Sequence, residues 1–228
     1  MNENEQILIK EYDKPIPSNL EILREHLAGL SEVVGVQHRA SEEFVLLFLH
    51  NFCDFPLAIN ASLNKSNWTH HVYFAIRSTA KTLYLCCTFE TMGRLDAVIQ
   101  TVDKYPGVVL VAEWENESES VFGEHKELEK LWEGANQHQH ADAFLLTYCP
   151  AEDLLDFTKR VVDYWHNQST SQETCPSLFL VVVVYKREKR SHKFMFIRTQ
   201  EITQSSLFLW HDLGLVTSEE YLECISGL

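Results

Sequence analysis

The run Leu178–Tyr185, LFLVVVVY, is the feature that most limits how this chain can fold. Eight apolar residues fall far short of the roughly 20 that a helix needs to cross a bilayer. Continuous and rich in β-branched side chains, the run instead suits a central strand buried on both faces. Such a strand needs covering layers on each side, so the expected fold class is α/β, a mixed central sheet flanked by helices.

The rest of the chain supplies those layers. Amphipathic spacing predicts a helix over Asn19–Leu30. A second follows over Ser41–Phe52, with Ser41 as cap, Glu42 and Glu43 at the positive end of its dipole, and Phe44–Phe48 giving a nearly all-round apolar surface that suits a helix packed inside. The polar stretch Asn60–Thr69 reads as a loop. Strand signals follow at Val72–Arg77, Thr82–Phe89, Arg94–Val102 and Val108–Trp114, with turns at Thr91–Gly93 and Tyr105–Gly107, as in an antiparallel meander. A helix is expected over Glu119–Gln137, a short buried strand over Ala143–Tyr148, and a helix from Pro150 to about His166. After a polar loop at Asn167–Pro176 comes the central strand. Edge strands at Phe194–Arg198 and Leu207–Trp210 and a closing helix at Glu219–Ile225 complete the chain.

With 228 residues and 45% hydrophobic content, one domain with one substantial core is expected. Residues 1–40 form an N-terminal helical elaboration, 41–185 the core, and 186–228 the C-terminal edge strands and short helix. The charged start MNENEQILIKEYDKP does not read as a secretory signal, so the expected location is cytoplasmic, with no membrane partner. Cys53, Cys86, Cys87, Cys149, Cys175 and Cys224 contain no CxxC pair and are expected to be buried reduced thiols. His138-Gln139-His140, His125 and His70-His71 lack a cysteine at ligand spacing, which argues against zinc. Neither G-x-S-x-G nor a glycine-rich phosphate loop occurs.

Residues 93–117, GRLDAVIQTVDKYPGVVLVAEWENE, carry the chemistry. Residues i and i+2 of a strand face the same way, so Glu113 and Glu115 project from one side, and the hairpin can bring Asp96 across from them. Glu113 directly continues the apolar run Val108–Ala112, where an unpartnered acid costs burial energy. Crowded carboxylates force a pKa upward unless a cation intervenes, and hard oxygen ligands suit Mg²⁺ or Mn²⁺. Glu117 and Glu119 read simply as solvated acids entering a helix.

The hairpin-plus-helix order and the D…ExE pattern resemble the PD-(D/E)XK nuclease superfamily, whose motif places an acid on one strand and E-x-K on the next. The resemblance spans roughly Ser41–Tyr185 as topology and residues 93–117 as a motif, and it implies a restriction-endonuclease-like core. Carried onto this chain, Asp96 corresponds to the metal-bridging aspartate, Glu113 to the second ligand, and Glu115 to the place of the lysine, as a ligand or general base. Glu43, in preference to Glu42, is similar to the acid that some members add to the metal shell. Lys126 or Lys130 supplies the ammonium that Glu115 does not. The implied activity is Mg²⁺-dependent hydrolysis of DNA phosphodiester bonds.

A net charge of −14 runs against binding a polyanion, which usually needs a basic footprint. The dense cationic segment is Lys186, Arg187, Lys189, Arg190, Lys193 and Arg198, and it is the expected nucleic-acid contact. DNA is thus the expected partner, with a homodimer compatible with the pattern. The acidic charge and the missing lysine favour the alternative of a non-catalytic interaction module on a nuclease-like fold; a third reading is an acidic inhibitor that mimics nucleic acid.

Overall fold

The computed structural model describes residues 39–53, 65–91, 95–104, 106–138, 141–169, 175–187 and 192–215. Helices expected at Asn19–Leu30 and Glu219–Ile225, together with Met92, Gly93, Lys189, Arg190, His140 and Cys224, lie outside them. The fold is α/β, a seven-stranded mixed sheet flanked by helices. In chain order the elements are α1 (Ala40–Cys53), α2 (Lys65–Thr82), β1 (Leu85–Thr91), β2 (Leu95–Thr101), β3 (Val108–Glu115), α3 (Glu127–Gln137), β4 (Asp142–Pro150), α4 (Leu154–Ser169), β5 (Leu178–Arg187), β6 (His192–Ile202) and β7 (Leu207–Gly214).

The strands lie side by side in the order of the chain. β1, β2 and β3 form the antiparallel meander, β3, β4 and β5 are parallel, and β5, β6 and β7 are antiparallel again. Helices α3 and α4 make the two crossovers between parallel neighbours, and a constant hand of crossover puts both on the same face. Helices α1 and α2 cover the other face. β5 shows the consequence: Leu178, Leu180, Val182 and Val184 pack with α3 and α4, while Phe179, Val181 and Val183 pack with α1 and α2.

Several expectations need correction. Val72–Arg77 is not a strand but the middle of α2, which begins at Lys65, inside the expected loop. Val72, Ala75, Ile76, Thr79 and Ala80 are buried at helical spacing, and Asn51 Nδ2 of α1 donates to Thr79 Oγ1 at 2.9 Å. The helix expected over Glu119–Gln137 is split into a 3-10 turn at Ser118–Val121 and α3, because Gly123 (φ 117°) and His125 (φ 58°) take left-handed backbone that no α-helix admits. β6 is an interior strand, paired on both sides, and α4 runs on to Ser169. Among the five described cysteines only Cys149 is buried, and Cys86 is exposed. No helix among the described residues is long and apolar enough to cross a membrane.

Candidate active site

β2 and β3 pair as far as Ala97 opposite Ala112, and beyond that point carboxylates take up the next backbone donors. The Asp96 N–H donates to Glu113 Oε1 at 3.1 Å, and the Trp114 N–H donates to Asp96 Oδ2 at 2.9 Å. These reciprocal bonds fix both acids where the hairpin opens. Strand alternation turns Asp96, Glu113 and Glu115 toward the face covered by α3, on which Val98 and Val111 also pack. Trp114 points the other way, into the layer of α1 and α2.

Helix α3 supplies the cation. Lys130 Nζ donates to Glu113 Oε2 at 2.9 Å and to Glu127 Oε1 at 3.4 Å. Lys126, the other lysine expected to reach the site, precedes the first turn of α3 and is exposed. Buried positions on α3 include Glu127, Leu131 and Gly134, and Lys130, three residues after Glu127, shares their inward stripe. That i, i+3 spacing was the available signal for choosing Lys130 and for adding Glu127.

Electrostatics mark the site as short of positive charge. Glu113 is fully buried, and burial, followed by the nearness of Asp96, raises its pKa to about 8 although Lys130 and the Asp96 N–H oppose the shift. Burial likewise raises Asp96 to about 6, with Glu127 and Glu115 adding to the shift against the Trp114 N–H and Lys130. Burial works against the Lys130 ammonium, but Glu113, Glu127 and Asp96 outweigh it and raise its pKa. Two further buried polar atoms have no hydrogen-bond partner among the described residues: Glu127 Oε2 and Thr147 Oγ1. Thr147 lies opposite Glu115 in the parallel register of β3 and β4.

Donor type and charge balance here fit a hard divalent cation. Among the described residues, however, no three His, Cys, Asp or Glu side chains converge closely enough to cage one. Glu115 Oε1 accepts from the Asn116 N–H at 2.7 Å and acts on Asp96 through its charge. Glu43 is exposed on α1, which covers the opposite face. The start of α1 is tied to the far end of the parallel strands, where Ser41 Oγ donates to Asp142 Oδ2 at 2.6 Å and Asp142 pairs with Leu110. Glu43 is therefore remote from Glu113. A divalent ion would be held by Asp96 and Glu113 with water completing its shell, which is how Mg²⁺ is commonly bound.

The cationic segment is divided. Lys186 and Lys193 are cross-strand neighbours on β5 and β6, and Arg187 pairs with His192 in the same ladder. Exposed Arg187 faces Asp153 at 3.5 Å and Glu152 at 3.8 Å, and Arg198 is held by Asp212 through two bonds of 2.9 and 2.6 Å. Both arginines thus have acidic partners within the chain.

The sequence also gave no hint of a second polar node, centred on Arg39 before α1. Its guanidinium bonds Glu42 Oε1, Ser177 Oγ and Glu201 Oε1 and lies 3.4 Å from Asp142 Oδ2, while Trp210 Nε1 donates to Glu201 Oε2 at 3.2 Å. The node joins α1 to β4, β5, β6 and β7, which gives it a structural role. Compared with known proteins, the chain matches no family model, no curated protein and no solved structure.

Proposed function

We propose that this protein is a metal-dependent nuclease of the PD-(D/E)XK kind that hydrolyses phosphodiester bonds of DNA, with Lys130 in the part of the motif lysine. The observation that carries the reading is Glu113, fully buried at the end of an apolar strand, bonded to Lys130 and set beside Asp96. The meander β1–β3 followed through α3 by parallel β4 supports it, being the order in which that superfamily builds its core.

Asp96 and Glu113 would hold the metal; backbone donors fix both, and Lys130 bonds Glu113 as well. A bound Mg²⁺ or Mn²⁺ supplies an activated water and offsets charge on the phosphate. Lys130 keeps its proton and presents an ammonium to the charge that develops on the transferring phosphoryl oxygens. Glu115 stands at the outer end of β3, placed to accept a proton from the attacking water. Lys186 and Arg187 lie toward the same end of the sheet, since Tyr185 pairs with Pro150 and Thr147 with Glu115, so the duplex would run from the carboxylates toward them. The proposed setting is cytoplasmic.

A second reading, a non-catalytic interaction module, is favoured by the lack of a three-ligand cage among the described residues. Plasmid nicking with Mg²⁺ and with Mn²⁺ separates the two. The wild type should nick, while Asp96→Asn, Glu113→Gln and Lys130→Met should each lose on the order of 10²-fold or more, as removal of a charge-stabilising group does. Wild-type protein that leaves the plasmid intact with both metals favours the module, and unchanged nicking in all three variants removes the site assignment.

A further inference from the structure

Helix α2 stands apart from the rest of this acidic chain. Its sequence, KSNWTHHVYFAIRSTAKT, contains no Asp or Glu, whereas α1, α3 and α4 each carry acids in their first turn. Phe74, Arg77 and Lys81 fall on one exposed stripe, and Phe74 leaves 48% of its surface open. Neither Arg77 nor Lys81 has an acidic partner among the described residues. Two like charges four residues apart on a helix repel, so this face favours an anion.

At the C-terminal end of α2 the stripe runs into a cleft of about 750 Å³, to which Arg77, Lys81, Tyr84, Leu85, Cys86 and Val102 contribute; Asp103 is the acid at its rim. Tyr84 is 87% exposed, although its backbone takes the left-handed conformation (φ 55°) that is costly for a residue with a Cβ. Val102 beside it is 69% exposed. An aromatic ring held out into water from a strained turn, next to two cations that have no acidic partner among the described residues, is an arrangement for a ligand rather than for a core.

We propose that the outer face of α2 and this cleft bind a single-stranded stretch of nucleic acid, with phosphates on Arg77 and Lys81 and an unstacked base on Tyr84. Positive charge beside an exposed aromatic is how proteins hold single strands without regard to sequence. The choice of substrate class rests on the nuclease reading. Thr101, which lines the cleft, lies at the other end of β2 from Asp96, roughly 17 Å along the strand. The site is therefore separate from the carboxylates and grips the substrate beyond the bond to be cut.

Binding is read by fluorescence anisotropy with a labelled oligothymidylate of about 12 nucleotides, within the span that one single-strand site covers. Low salt and EDTA are used so that no cleavage occurs. Wild type should bind, Arg77→Glu/Lys81→Glu should bind at least about 10-fold more weakly, and its salt slope should fall by about 1.4, two single-strand phosphate contacts. Tyr84→Ala should weaken binding roughly 5- to 150-fold with the slope unchanged. Exposed positions predict unaltered melting for these variants, and Arg77→Ala/Lys81→Ala repeats the test without charge reversal. Wild type that does not bind, or variants that bind as wild type does, overturn the proposal. Full displacement by free thymidine monophosphate at equal nucleotide concentration overturns the strand in favour of a mononucleotide site. Because EDTA suppresses cleavage in every arm, failure of the nuclease reading in the nicking assay leaves this result unmoved.

Discussion

Glu113 sets burial against charge, and pH decides the outcome. Its pKa rises from 4.5 to about 8 and that of Asp96 from 3.8 to about 6, so between these limits the folded protein holds protons that the unfolded chain has released. Stability from that excess is fully present below about pH 4 and is lost as pH rises through 6 and 8. The urea midpoint should therefore fall between about pH 5 and about pH 8, and in Glu113→Gln it should fall less. Removing the cation has the opposite effect on the slope. Lys130→Met leaves Glu113 without its ammonium, and the loss should reach on the order of 3 kcal/mol above about pH 8, where the carboxylate must ionise, and be smaller near pH 5. A wild-type midpoint that climbs with pH would contradict these shifts. At this scale the sequence was legible at Asp96 and Glu113, because an acid ending an apolar run is costly without a partner. The partner was less legible, since choosing Lys130 over Lys126 depends on where α3 begins, and that is set by the left-handed backbone at Gly123 and His125.

Among the elements, α3 is fitted most tightly to the site. Gly134 presses on β2 where a Cβ would lie 2.7 Å from Leu95 Cδ1, and Leu95, the neighbour of Asp96, is buried, so its methyl must shift within the core. Gly134→Ala gains about 1 kcal/mol of helix propensity and loses about 1–3 kcal/mol to overpacking, so the expected result is a net loss of about 1 kcal/mol. In a Leu95→Ala background the same substitution should become neutral or stabilising, a coupling that a double-mutant cycle in urea measures directly. Equal effects in both backgrounds would mean that α3 simply moves away. The continuous run of β5, the meander from β1 to β3, the apolar α1 and the amphipathic spacing of α4 were legible, because in each the hydrophobic pattern agrees with the element formed, and so was the C-terminal part of α3 though not its start. Helix α2 was not. Its segment Val72–Arg77 mixes aromatic and β-branched residues as strands do, and packing on α1 overrides that local preference. Glu43 was misplaced for a related reason: reading helices along the chain does not say which face of the sheet each one covers.

For the molecule as a whole, a net charge of −14 makes general screening the rival to any specific effect of a cation. Salt of any kind relieves repulsion among dispersed acids. A site at Asp96 and Glu113 differs in two ways that a melting experiment can read. Its stabilisation follows mass action, reaching about 2.7 kcal/mol at a concentration 100 times the dissociation constant, or on the order of 5–10 °C in a chain of this size. It also competes with protons, because Asp96 and Glu113 must give theirs up to act as ligands. Millimolar Mn²⁺ should therefore raise the wild-type melting temperature more at about pH 8 than at about pH 5, and beyond what NaCl of matched ionic strength achieves. Asp96→Asn, which removes one charge from an acidic molecule and leaves the dispersed acids untouched, should respond to Mn²⁺ no more than to NaCl. If the variant gains as much as wild type, the ion acts on the whole charge of the molecule; only a gain that needs Asp96 and grows with pH identifies these carboxylates as its site.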